Sequence, residues 1–302
     1  MMRDISEKFS TLRVATARAT LRLAPATVQR LAAGDLPKGD ALGLARVAAV
    51  QAAKNTAQLI PYCHPLLLDH VAVDFNLGAD RVDVQVTVKA VHRTGVEMEA
   101  LTGATLAALT LYDMTKMLDE HMEITGVTLL EKRGGKSDHP GRAGGRQAAV
   151  LVISDSVAEG RAADRSGALL AERLGAAGFE VVRSEVCADE PAAIEARLIE
   201  YADRLRVDVV LTTGGTGLGP RDHTPEATAK VIERDLGGVI AALQSHGRQR
   251  IPTAMLSRAR AGVRGRTMIV NLPGSPRACE QSLPSLLAVL PHAFEMIEGG
   301  GH

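Results

Sequence analysis

The 302-residue chain has no tryptophan, three tyrosines and four phenylalanines. It lacks the aromatic platforms on which single-stranded nucleic acids stack. It has no excess of either charge: 35 Lys+Arg stand against 35 Asp+Glu, and residues 1–146 carry 18 basic and 16 acidic side chains. Neither part has the basic surplus of a nucleic-acid surface. Cys63, Cys187 and Cys279 are far apart and odd in number. They form no disulfide framework and no Cys-x-x-Cys pair, which suits a reducing cytoplasm. No stretch approaches ~18 uninterrupted apolar residues, so no spanning helix is expected. The opening MMRDISEKFS is too charged for a signal peptide. The expectation is a soluble cytoplasmic protein with neither nucleic acid nor membrane as partner.

What is present is enough to fold. With 46% hydrophobic and 23% charged residues, the chain can bury a core, and its length suggests about two domains at roughly 100–200 residues each. The stretch 133–147, RGGKSDHPGRAGGRQ, has five glycines, a proline and several charges, as linkers do. This places domains at 1–139 and 148–302 with a linker at 140–147.

The two parts differ in periodicity. Val71, Val73, Phe75 and Leu77 alternate with polar residues, as do Val82, Val84, Val86 and Val88. With Gly78-Ala79-Asp80 between them, 70–90 reads as an antiparallel hairpin covered on one face. Pro25 and Gly34 bracket a helix, and 40–59 and 97–118 are helical in composition. The first domain reads as α+β. Beyond the linker, AAVLVIS (148–154) and VDVVLTT (207–213) are continuous apolar runs, as in parallel strands buried on both faces. Alternation with helical stretches predicts a three-layer α/β domain with a mainly parallel sheet.

Ionisable clusters interrupt the first half. Asp113 and Lys116 are three apart on a helical stretch and share a face, as an ordinary surface ion pair also would. Glu97 and Glu99 share a face only if the backbone is extended; otherwise they form an acidic helix start. His64 beside Cys63 lacks further ligands at zinc spacing. Gly135-Lys136-Ser137 mimics the end of a phosphate-binding P-loop, but position 130 is Leu where glycine is required.

In order, the strings KGD, QAAKNT, IPYCHPL, TGVEMEAL, YDMTK and GGKS resemble the cyclic pyranopterin monophosphate synthase (MoaC) family over about residues 1–138. The resemblance implies a ferredoxin-like subunit in a hexamer, with active sites between subunits. It implies rearrangement of a cyclised dihydroguanosine triphosphate with release of pyrophosphate, and no firm cofactor. Such a triphosphate needs cations, and Arg13, Lys38, Lys54, Lys116, Lys132 and Lys136 are candidates. The family's acid/base aspartate falls on Asp113, with Lys116 beside it and Lys38 and His64 as further candidate catalytic groups. Its substrate-binding positions fall on Tyr62, Cys63, His64, Met98 and Glu99, with Glu97 adjacent. Tyr62 replaces a common aliphatic residue, and Asp138 follows GGKS where glycine is frequent.

In the second half an apolar strand runs into TTGGTGLGPRDHTPEAT, residues 212–228. Gly214, Gly215 and Gly217, with Thr216, can turn main-chain N–H groups toward an anion, although a sharp strand-to-helix turn needs the same residues. Thr224 reads as the N-cap of the next helix. In a parallel sheet, Ser154 and Asp155, Asp189, and Asn271 to Ser275 (with Pro273 and Gly274) would line the same edge. GGTG, RDHTPE and NLPGSP resemble the molybdopterin adenylyltransferase (MogA/MoaB) family over about 147–298. The resemblance implies transfer of AMP from MgATP to molybdopterin in trimers or hexamers. Its catalytic aspartates fall on Asp189 and Asp222, the latter also a candidate Mg²⁺ ligand. Two enzymes in one chain, or one enzyme with a pterin-binding or oligomerising module, both accommodate these observations.

Overall fold

The computed structural model describes residues 1–6, 8–135 and 144–300. Lys136, and the part of the expected linker at 140–143, lie outside the described residues. The chain divides into two compact units, Met1–Asp138 and His139–His302.

Unit 1 runs β1 (Thr11–Arg22), α1 (Pro25–Ala33), α2 (Ala41–Lys54), α3 (Thr56–Leu59), β2 (His70–Leu77), β3 (Arg81–His92), α4 (Glu97–Thr115) and β4 (Glu123–Arg133). The sheet order is β2-β3-β1-β4, all pairs antiparallel, which is the ferredoxin-like arrangement. Alternation on β1 and β3 puts Ala15, Ala17, Ala19, Leu21 and Val82 to Val88 (even positions) on the helix-covered face. Small residues let the helices approach closely: Ala49 and Ala53 of α2 meet Gly103 of α4, where an added Cβ would lie 3.1 Å from the Ala49 carbonyl oxygen. Asp40 caps α2 by accepting from the Gly43 N–H. Gly34 ends α1 at φ 69°, a left-handed turn that suits glycine.

Unit 2 runs β5 (Gln147–Ile153), α5 (Asp155–Ala158), α6 (Ser166–Ala176), β6 (Glu180–Cys187), α7 (Pro191–Ile199), β7 (Val209–Thr213), α8 (Thr224–Val231), β8 (Arg234–Asp235), α9 (Gly237–Arg248), β9 (Ala261–Arg264), β10 (Thr267–Leu272) and α10 (Pro276–Ile297). A π turn, Glu200–Leu205, extends α7, and a 3₁₀ turn, Pro252–Leu256, follows α9. The order β6-β5-β7-β10-β9-β8 is parallel through β10 and antiparallel at β9 and β8. Apolar clusters fill both faces: Leu170, Leu286 and Phe294 on one side, Ile194, Leu198 and Tyr201 on the other. That accounts for the unbroken apolar strands. β5 begins at Gln147, inside the stretch read as linker, because the Gln147 N–H is held by Asp208 (2.8 Å) and the residue pairs with Glu180.

Candidate functional sites, one in each unit

In unit 1 the sequence candidates separate into two groups at opposite ends of α4. At its C-terminal end, Asp113 sits between two ammonium groups: Lys116 Nζ is 2.7 Å and Lys38 Nζ 2.9 Å from the carboxylate. Lys38 also donates to the Asp113 carbonyl (2.7 Å). Bonds from Lys116 first, then Lys38, hold the carboxyl down to a pKa of about 2, while Lys116 is raised by the same carboxylate. Lys38 arrives here because the loop ahead of α2 lies beside the end of α4.

At the N-terminal end of α4, Glu97 and Glu99 stand on a helix, not on extended backbone, so they turn to different sides. Glu97 pairs with Lys132 Nζ at 3.7 Å. Glu99 is 2% exposed and points inward; its Oε1 accepts from Cys63 Sγ (3.4 Å) and its Oε2 has no partner. Burial raises Glu99, and burial followed by the Glu99 charge pushes the Cys63 thiol up to about 11. Arg13 donates to the His92 carbonyl at 3.2 Å and lies against Gly134 and Gly135. His92 is held low first by burial, then by the charges of Arg93, His64 and Arg13. Tyr62, Met98 and Lys54 are exposed at this end. From Glu99 to Asp113 the helix rises fourteen residues at about 1.5 Å each, roughly 21 Å.

In unit 2 the loops meet at the C-terminal edge of the parallel strands. Gly214 has φ 102° and packs so closely that an added Cβ would lie 2.1 Å from the Ile153 carbonyl oxygen. Gly215, at φ 60°, leaves 2.4 Å to Thr224 Oγ1 and 2.7 Å to Asp189 Oδ1 for such an atom. Gly274 abuts Gly214, and Thr213 Oγ1 donates to the Pro273 carbonyl (2.8 Å). Asp155 and Asp189 hold each other reciprocally: the Asp155 N–H donates to Asp189 Oδ2 (3.1 Å), and the Asp189 N–H to Asp155 Oδ1 (3.0 Å). Asp189 Oδ1 is buried without a partner, and burial raises the group, helped by Asp155 and Asp222. Asp222 Oδ2 accepts from the Gly219 N–H at 2.7 Å. Arg221, visible in the sequence only as a neighbour of Asp222, bridges Asp155 (2.9 Å) and Glu190 (2.8 Å).

Several expected residues hold the loops in place. Asn271 is 1% exposed, with its amide donating to Thr212 and Thr228 (both 2.9 Å) and accepting from the Arg260 N–H (3.0 Å). Ser154 caps α5 and Ser275 caps α10. Thr224 is not the N-cap of α8; that position is His223. The Thr224 hydroxyl instead donates back to the Gly214 carbonyl at 2.9 Å, tying the loop to its own exit. Among the described residues no group of three or more His, Cys, Asp or Glu could hold a metal by itself, and no helix is long and apolar enough to cross a membrane.

An α+β unit with a carboxylate between two lysines, followed by an α/β unit with a glycine-rich loop at the end of its parallel strands, gives the chain one candidate site in each unit. Residues 2–135 match the MoaC family, and 149–292 match the model described as a probable molybdopterin binding domain. The chain is 43% identical along its whole length to the molybdenum cofactor biosynthesis bifunctional protein of Chlorobaculum tepidum, covering 96% of that protein. It is 41% identical to the protein of that name from Synechococcus elongatus, covering 98% of it. It is 54% identical to the cyclic pyranopterin monophosphate synthase of Roseiflexus sp. over 138 residues, 45% of this chain and 87% of that one. Among solved structures, the molybdopterin biosynthesis enzyme MoaB of Thermus thermophilus aligns with 51% of this chain and 97% of its own, at 43% identity and a TM-score of 0.49. The chain belongs to the family of bifunctional molybdenum cofactor biosynthesis proteins, with a MoaC unit followed by a unit of the MogA/MoaB kind.

Proposed function

We propose that unit 1 converts (8S)-3',8-cyclo-7,8-dihydroguanosine 5'-triphosphate to cyclic pyranopterin monophosphate and pyrophosphate, and that unit 2 transfers AMP from MgATP to molybdopterin. The observation that carries the first assignment is Asp113 held between Lys38 and Lys116. A carboxyl with a pKa of about 2 is a poor base. A triphosphate drawing the two ammonium groups to itself removes their hold and raises the carboxyl toward proton-transfer duty. Arg13, Lys54, Lys132 and Lys136 supply further cationic charge, and Tyr62, Cys63, His64, Met98 and Glu99 the pterin contacts.

The roughly 21 Å between Asp113 and Glu99 is too far for one small substrate. This supports a site assembled from the Asp113 end of one copy and the Glu99 end of another, hence a homo-oligomer, hexameric or trimer-based. Mixing Asp113→Asn chains with Glu99→Ala chains tests it: activity absent from either variant alone returns on mixing. Two inactive variants that stay inactive in co-purified oligomers would count against a shared site.

In unit 2 the orphaned Asp189 Oδ1 and the neighbouring Asp222 suit a cation completed by nucleotide phosphates and water. Bound there by Asp189 and Asp222, Mg²⁺ would neutralise charge on the reacting phosphates. Main-chain N–H groups of Gly215 to Gly217 cradle the phosphate, that of Gly214 being engaged by the Leu272 carbonyl, and Asp155 keeps Asp189 in place. Incubation with molybdopterin and MgATP decides between transfer and mere binding: adenylylated product supports an enzyme, and a bound but unmodified pterin supports a binding module. The three free cysteines support a cytoplasmic setting.

A further inference from the structure

Arg258 belongs to no motif of the sequence; it stands between the 3₁₀ turn and β9. We infer that Arg258 is the positioning residue of unit 2's glycine-rich loop, one guanidinium clasping the loop's main chain at both ends so that its amides and Asp222 keep one orientation. The inference deepens the proposed adenylyl transfer, and its kinetic part rests on that reading.

Arg258 Nε donates to the Gly217 carbonyl at 2.7 Å and Nη2 to the Asp222 carbonyl at 2.6 Å. Nη1 pairs with the Glu226 carboxylate on α8. The residue's own N–H donates to the Thr216 carbonyl at 2.8 Å. Its segment is anchored behind by Gln244 of α9, which donates to the Ser257 carbonyl (2.8 Å). A planar fork holds several acceptors at fixed angles, as a flexible ammonium does not. In a trans peptide the carbonyl and the following N–H point opposite ways. Drawing the carbonyls of 216, 217 and 222 toward Arg258 therefore turns the N–H groups of Gly217, Leu218 and His223 away from it. With all three nitrogens engaged, the guanidinium acts on the loop, not on a phosphate. It closes the segment 217–222 across its base, and Asp222 closes the same segment through Gly219.

The test compares Arg258→Ala and Arg258→Lys with Arg264→Ala in the full chain. Arg264 is the matched control: it grips Asp203 with two nitrogens (2.9 and 2.6 Å) and the Val231 carbonyl (3.1 Å), without touching the loop. Hydrogen exchange of the peptide covering 214–223 is expected to quicken at least tenfold in Arg258→Ala and to stay unchanged in Arg264→Ala. In AMP transfer, kcat is expected to fall at least thirtyfold in Arg258→Ala at a melting temperature like that of Arg264→Ala, with partial return in Arg258→Lys. Unchanged loop exchange in Arg258→Ala, equal quickening in both alanine variants, or a kcat within threefold of the parent would overturn the assignment. A parent chain that transfers no AMP would sink the reading of unit 2 as a transferase, and loop exchange alone would then decide the role of Arg258.

Discussion

In the proposed function the two units meet negatively charged substrates with opposite parts of the polypeptide. The candidate groups of unit 1 are long side chains at helix ends, with Asp113 gathering Lys38 and Lys116. Those of unit 2 are main-chain groups, with Gly214 and Gly215 in conformations and spaces that exclude a Cβ. A side-chain site fails when a charge is removed and weakens with salt. A main-chain site is indifferent to loss of a nearby charge and fails when an atom is added.

The sharpest way to break this contrast is Asp113→Asn. It leaves the shape intact but removes the charge that gathers the lysines and the group proposed to exchange protons. Cyclic pyranopterin monophosphate formation should fall by about a thousandfold or more, a loss in the range of acid–base and positioning effects combined. AMP transfer by the same preparation should be unchanged. Assaying both products from one sample checks it, and a parallel fall in both would mean that the sites are not separate.

The converse change is Gly215→Ala. Its Cβ would enter the space between Thr224 Oγ1 and Asp189 Oδ1 at a left-handed φ. AMP transfer should drop about a hundredfold, as expected for a reacting group displaced by an ångström, with unit 1 activity intact. Gly34→Ala is the comparison: φ is similar at 69°, but nothing lies within 4 Å. It should cost stability through backbone strain alone and leave both rates unaltered.

The same contrast explains what could be read from the sequence. Period-two alternation marks the β2–β3 hairpin, and unbroken apolar runs mark β5 and β7, because burial on one face or two leaves different patterns. β1 and β4 are marked less plainly: β1 alternates, but with small alanines at most of its buried positions, and β4 is an exposed edge strand with little alternation. Asp113 and Lys116 are legible from spacing, and most site residues from ordered family motifs. The geometry separates them further than sequence could: Asn271, Ser154 and Ser275 spend their polar atoms within the fold. Thr224 before Pro-Glu fits an N-cap in sequence, while the tight loop gives its hydroxyl a nearer acceptor at Gly214. Arg258 is invisible there, since its partners are mostly carbonyls and carbonyls carry no residue signature.

A smaller effect concerns the base of unit 2. Arg146 reaches Asp208 (2.9 Å) and Glu298 (2.6 Å) and lies 4.8 Å over the Phe294 ring, tying β5 to the end of α10. Burial pushes Asp208 up, but the Gln147 N–H, Arg146 and Arg266 hold it below the usual range. Arg146→Ala leaves Asp208 with two of those partners, so the cost should be about 2 kcal/mol. That corresponds to several degrees in the unit 2 melting temperature, with AMP transfer unaffected at temperatures where the unit is folded. Calorimetry of the full chain measures it, and an unchanged transition would mean that the network contributes nothing.

Smallest and most diagnostic is the pH dependence of unit 1 stability on Glu99. Burial raises this carboxyl above its ordinary 4.5, so the folded unit binds the proton more tightly than the unfolded chain does. Its contribution is full below the unfolded value and is lost as pH rises through the folded one. Glu99→Gln keeps the size and a hydrogen-bonding end toward Cys63 but cannot ionise. The melting temperature of the parent unit should therefore decline relative to the variant as pH rises above the ordinary 4.5, while the two agree below it. Asp113 works in the opposite sense. Its depressed carboxyl supports the fold above its ordinary 3.8 and releases that support only as pH falls toward about 2, so it leaves the higher window untouched. Parallel melting curves for parent and Glu99→Gln across that window would show that the buried carboxyl is not what distinguishes this end of α4 from the other.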